Sequence, residues 1–197
     1  MSSPSVQLIL ASTSEYRRQL LMRLQLAFDI QAPGVDETPH PQEPPDRLAL
    51  RLALAKAQAV AAHHPHACVI GSDQVCDLNG QALGKPGTLD NAKTQLRMLS
   101  RQSVVFRTAV AVVRPDTGFE ACRLVNIQVR YRELTETTIE RYLEQEPALD
   151  CAGSAKSEGL GIALVESIQS DDPTALIGLP LIETARLLRE AGLDVLR

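Results

Sequence analysis

The chain has 197 residues, 44% of them hydrophobic, a formal net charge of −4 and four cysteines. Its length and apolar content suit one substantial core, so a single domain over 1–197, with room for two lobes, is expected. The basic residues are not run together and no apolar run nears the roughly 20 residues of a membrane span, which leaves no footprint for nucleic acid or membrane and favours a small ligand.

Val6–Ala11 is an apolar strand pattern, too short and without the preceding basic region of a signal peptide, so a cytoplasmic location is expected. Ser12, three residues before Glu15, matches a capping box, and Leu20, Leu21 and Leu24 give the following helix its buried stripe. Phe28–Gln31 reads as a short strand before a Pro-rich loop, and Asp46 opens a long Ala/Leu-rich helix to about His63. The apolar run "ACVIGSDQ" reads as a strand ending at a glycine and an acid, and Asn79-Gly80 in "VCDLNGQAL" signals a hairpin immediately after it. Asp90 starts a helix to about Leu99. Val104–Arg114 and Cys122–Arg132 form a long antiparallel pair joined by "PDTG", and Thr135 caps a helix to about Glu144. A glycine-punctuated segment leads to one more strand, and a last helix runs from about Pro180 to Gly192. The class is mixed α/β. The cysteines form no CxxC pair, so reduced thiols are expected, and "HHPH" is read as solvated histidine.

Several polar residues stand where chemistry is placed in such folds. Arg17 and Arg18 lie at a helix start, where the dipole disfavours cations, beside the hydroxyls of "STS"; together they suggest a polyphosphate site. No Walker A pattern is present. Asp73, at what reads as a strand terminus, and the loop acids Asp36 and Glu37 offer carboxylates from two places, which suits a divalent cation that also takes water and phosphate oxygens. Only four of the 20 basic residues are lysine, and Lys85 and Lys156 lie among glycines and small residues, where a compact charge fits a phosphate ligand.

The ordered set "LILASTSEYRR", "VDETP", "LAKAQA", "IGSDQV", "GKP" and "CAGSAKSEGLG" resembles the Maf family of nucleoside triphosphate pyrophosphatases along nearly the whole chain. The resemblance implies an elongated two-lobed α/β fold like that of the inosine triphosphate pyrophosphatases, with a long mixed sheet and a central cleft. It implies hydrolysis between the α- and β-phosphates, a divalent metal (Mg²⁺, Mn²⁺ or Co²⁺) and a homodimer as an option. It places the proton acceptor on Asp73 and further site positions on Ser12, Arg17, Arg18, Glu37, Lys56, Lys85 and Lys156, with Glu37 as second carboxylate on the ion; whether Asp73 is base or metal ligand stays open.

Tyr16, Gln74 and Glu158 fall on the family's specificity positions and resemble the branch that prefers N7-methyl-GTP, although tryptophan is the commoner residue where Tyr16 stands. Guanine offers adjacent N1–H and N2–H donors that the Glu158 carboxylate can accept together, and N7 methylation adds a positive charge suited to an aromatic face such as Tyr16. Gln74 either contacts the base or positions Asp73. The competing readings are a dTTP/UTP pyrophosphatase of the same family and a nucleotide-binding regulator of septum formation without turnover.

Overall fold

The computed structural model describes residues 6–196. Its frame is a seven-stranded mixed sheet in the order β2-β1-β3-β5-β6-β7, with β4 also paired to β3. The strands are β1 (Leu8–Leu10), β2 (Asp29–Ile30), β3 (Cys68–Leu78), β4 (Gln81–Leu83), β5 (Ser103–Arg114), β6 (Phe119–Tyr131) and β7 (Val165–Gln169). Only β1 is parallel to its neighbours, β2 and β3; every other pairing is antiparallel. At about 3.3 Å per residue, β3, β5 and β6 reach roughly 35–40 Å and run through both lobes. The helices are α1 (Glu15–Met22), α2 (Pro45–Ala61), α3 (Leu89–Leu99), α4 (Glu136–Gln145) and α5 (Leu181–Glu190). None is long and apolar enough to cross a membrane.

Side-chain alternation along the strands divides the core. Ile9, Val69, Val75, Ala109 and Ala111 meet α2 on one face, against Leu52, Ala53 and Ala57. Leu8, Leu10, Ile70, Val110 and Val112 meet α1 and α5 on the other, against Leu20, Leu21 and Leu187. The far ends of β5 and β6 carry the second lobe, where Phe106 and Ile127 pack with Leu96 and Leu99 of α3 and Ile139 and Tyr142 of α4. Asn79 and Gly80, with φ of 53° and 88°, make the hairpin turn expected of that dipeptide.

Four expectations are corrected. Ser14, not Ser12, caps α1: Ser14 Oγ accepts from Arg17 N at 3.4 Å, while Ser12 Oγ accepts from Ser14 N at 3.1 Å. The backbone bond from Ala11 N to Ile70 O prolongs the ladder past β1, and the helix starts two residues later. Thr88 rather than Asp90 caps α3, and Pro44 and Pro45 precede Asp46 into α2, where proline costs no helical hydrogen bond. Finally, Gly71 does not end β3. A Cβ there would fall 2.2 Å from Ala53 O, so the glycine lets the α2 backbone lie on the strand, which continues to Leu78.

Candidate active site

One edge of β3 is covered by β5 from Val69 to Asp77. The other is shared by β1, opposite Cys68–Ile70, and β4, opposite Cys76–Leu78. Between them, residues 71–75 keep an open edge among the described residues, at the point where a parallel partner gives way to an antiparallel one. A cleft of about 980 Å³ opens there. Asp73 therefore lies mid-strand, at the end of β1 rather than of β3.

Ser12, Tyr16, Arg17, Glu37, Lys56, Asp73, Gln74, Lys85 and Glu158 line the cleft. Lys56, on α2, is buried between two carboxylates: its Nζ donates to Asp73 Oδ1 at 2.7 Å and pairs with Glu37 Oε1 at 2.8 Å. Burial pushes the Asp73 carboxyl above its ordinary value, opposed by Lys56 and Arg17 and reinforced by Glu37. Burial also raises Glu37, but the hydrogen bond and charge of Lys56, helped by Lys85 and Arg17, leave it below the ordinary value. Arg17 Nε donates to Gly178 O at 2.9 Å, and burial lowers the arginine against the fields of Asp73 and Glu37. Lys85 is exposed on the rim and makes no ion pair among the described residues.

The donor set fits a hard divalent cation. Asp73 Oδ2 and Glu37 Oε2 accept no protein hydrogen bond among the described residues, and neither belongs to the buried atoms left without a partner. Two carboxylates with uncommitted oxygens beside a wide cleft leave positions for water and phosphate oxygens. No group of three or more acidic, histidine or cysteine side chains suited to a metal is found among the described residues.

Two expected phosphate ligands stand elsewhere. Arg18 is exposed, pairs with Glu15 at 2.8 Å and does not line the cleft. It lies about 100° round the helix from Arg17, so only one of the two faces inward. Lys156 reaches the rim indirectly, its Nζ 5.6 Å from the Tyr16 ring centroid and 3.8 Å from Asp150. Tyr16 is half-buried, and burial raises its phenol to about 12. Glu158 is exposed and also lines the cleft.

Gln74 lines the cleft but does not hold Asp73. Successive strand residues point to opposite faces, so it cannot orient the Asp73 carboxylate directly. Its Nε2 lies within 3.0 Å of Thr108 Oγ1, Ala175 O and Leu176 O, which commits the amide hydrogens to the 175–176 turn. Of the residues that take part in this second face of the site, Ser72 lies within the motif "IGSDQV" but is not singled out by it, and Thr108 and Gly178 carry no sequence signal. Their roles run through backbone carbonyls. The cysteines are free, as expected: Cys68 and Cys76 are buried, Cys122 and Cys151 half-buried.

Comparison with known proteins gives concordant findings. A protein of Polaromonas sp. named 7-methyl-GTP pyrophosphatase is 60% identical over 98% of this chain and 88% of its own length. Relatives of the same name from Albidiferax ferrireducens and Xanthomonas oryzae pv. oryzae are 55% and 61% identical, over 100% and 94% of this chain and 99% and 97% of theirs. A solved nucleoside-triphosphatase / dITP/XTP pyrophosphatase from Mycobacterium abscessus is similar at 16% identity and a TM-score of 0.47, covering 95% of this chain and 97% of its own, too remote to carry weight. The family model described as Maf-like protein matches residues 7–191, and the chain belongs to that family.

Proposed function

We propose that the protein hydrolyses N7-methyl-GTP to N7-methyl-GMP and pyrophosphate. The observation that carries the reading is the convergence of Asp73 and Glu37 on the buried Lys56 at the floor of the cleft, with Arg17 beside them. The substrate follows from the name shared by relatives 55–61% identical to this chain and from the chemistry of Tyr16 and Glu158.

Asp73 accepts the proton of the water that attacks the α-phosphorus, its uncommitted oxygen facing the cleft while Lys56 holds the other. Raised by burial, this carboxylate is a stronger base than an exposed aspartate. Arg17 and Lys85 hold the charge that gathers on the departing pyrophosphate. Ser12 keeps the guanidinium in line, with its Oγ 3.5 Å from Arg17 Nη1. Glu37 would hold a divalent cation of the Mg²⁺, Mn²⁺ or Co²⁺ kind, which supplies further neutralisation of phosphate charge, with Asp73 as its second carboxylate in the alternative in which that free oxygen is not the base. Glu158 accepts from the guanine N1–H and N2–H groups, and the methylated base stacks on Tyr16.

The test is product analysis with Mg²⁺ or Mn²⁺ over N7-methyl-GTP, GTP, UTP, dTTP and CTP. Preferential release of monophosphate and pyrophosphate from N7-methyl-GTP, lost in Asp73→Ala, is expected. Preference for UTP or dTTP overturns the base reading and keeps the chemistry; orthophosphate as first product, or no turnover, overturns the activity.

A further inference from the structure

Arg17 is held from a distance of 161 residues. Its Nε donates to the Gly178 carbonyl at 2.9 Å, and the same carbonyl oxygen accepts from Ser72 Oγ at 3.0 Å. One backbone oxygen thus joins α1, the strand residue before Asp73 and the turn that precedes α5. Gly178 has φ of 128°, a conformation L residues rarely adopt, and a Cβ added there would meet Arg17 only at ordinary contact, 3.8 Å from Nε. The glycine is required by the direction of its backbone, not by space.

That turn is fixed at its base by Asp172, which is 2% exposed. Oδ1 accepts from Thr174 N at 3.0 Å and from Thr174 Oγ1 at 2.7 Å, and Oδ2 accepts from Ile182 N at 2.7 Å in the first turn of α5. Thr174 Oγ1 in turn accepts from Leu181 N at 2.8 Å and lies 2.9 Å from Leu179 O. The 174–181 turn is closed from both ends on one buried carboxylate, which makes no ion pair among the described residues. A long arginine side chain loses rotamer freedom when frozen, and a fixed acceptor at Nε leaves its terminal nitrogens set for an anion. Arg17 Nη2 makes no protein hydrogen bond among the described residues.

We propose that Asp172 is a positioning residue for phosphate binding: it fixes the turn whose Gly178 carbonyl aims the Arg17 guanidinium into the cleft. The inference rests on the reading of Arg17 as a phosphate ligand. A residue that merely caps α5 would lower stability without coupling to Arg17, so the test is a double-mutant cycle. Asp172→Asn, Arg17→Ala and the pair are compared in kcat/KM for N7-methyl-GTP and in calorimetric Kd for inorganic pyrophosphate, below the melting temperature of each variant. Arg17→Ala is expected to cost about 100-fold and Asp172→Asn about 10-fold, the pair costing no more than Arg17→Ala alone. If Asp172→Asn fails to fold, Gly178→Ala carries the same cycle. Additive losses overturn the inference, and wild-type turnover then leaves the proposed activity standing. Coupled losses in pyrophosphate binding without turnover by the wild type uphold the inference and overturn the activity. A wild type that neither turns over nor binds pyrophosphate overturns both.

Discussion

The Lys56 ammonium donates to Asp73 Oδ1 at 2.7 Å, tying the middle of α2 to the open-edged middle of β3. Both groups are nearly buried, at 4% and 6% exposure, so each is tolerated as an ion because of the other.

Lys56→Met is therefore expected to lower stability by about 3–5 kcal/mol, since it leaves a buried carboxylate without its cation. Adding Asp73→Asn should restore much of that loss while turnover stays abolished. Urea unfolding of the two variants checks both statements; a single variant as stable as the wild type would sink the pairing argument.

Arg17 and Arg18 are neighbours in sequence and unequal in space. Arg18→Ala removes an exposed i,i+3 pair with Glu15 and should change kcat/KM by less than about twofold, with stability within ~0.5 kcal/mol. A loss near that of Arg17→Ala would show that Arg18 turns inward when substrate arrives.

Glu158 is exposed and bears no ion pair among the described residues, so Glu158→Gln should leave the melting temperature unchanged. The preference for N7-methyl-GTP over UTP should fall by about tenfold, because an amide accepts less strongly from the cationic purine and no longer repels the uracil carbonyls. Competition kinetics with both nucleotides measures the ratio directly.

The loop that carries Glu37 is clamped by Arg51 of α2, which donates to Glu43 at 2.6 and 2.7 Å and to Thr38 O at 3.1 Å. The hydrogen bond from Arg51 leads the effects that lower the Glu43 carboxyl to about 2. Its folded-state value is depressed, so the stability it contributes is present in full above the ordinary carboxylate value and is lost as pH falls towards 2. The protection factors of the amides of Thr38, His40, Gln42 and Glu43, that is, their exchange relative to the intrinsic rate at each pH, should fall across that window. In Glu43→Gln they should be low already at neutral pH.

Much of the fold was legible because its signals are local. Asn79-Gly80 can serve few structures other than a tight hairpin, the continuous apolar run of β5 marks a strand covered on both faces, and the alternation along the second half of β6 marks one covered on a single face. The same local logic misplaced the end of β3. Gly71 reads as a break, yet it is there because the α2 backbone approaches the strand, a contact between residues far apart in sequence. The α1 cap moved for a similar reason: Ser12 and Ser14 are equivalent as residue types, and only the hydrogen bond from Ala11 N to Ile70 O decides which one starts the helix.

The site divides along the same line. The sequence by itself determined the acids, lysines and arginines available, the hairpin, the α/β class and the family resemblance, since each lies in residue identity and short spacing. Only the tertiary structure decided that Arg17 and not Arg18 faces the cleft, that Lys56 sits between Glu37 and Asp73, and that Gln74 serves the 175–176 turn. Only it revealed Asp172 and the Gly178 carbonyl behind Arg17. Helix rotation, strand pairing and the direction of a backbone oxygen are set by packing between distant segments, and a carbonyl is the same group in every residue.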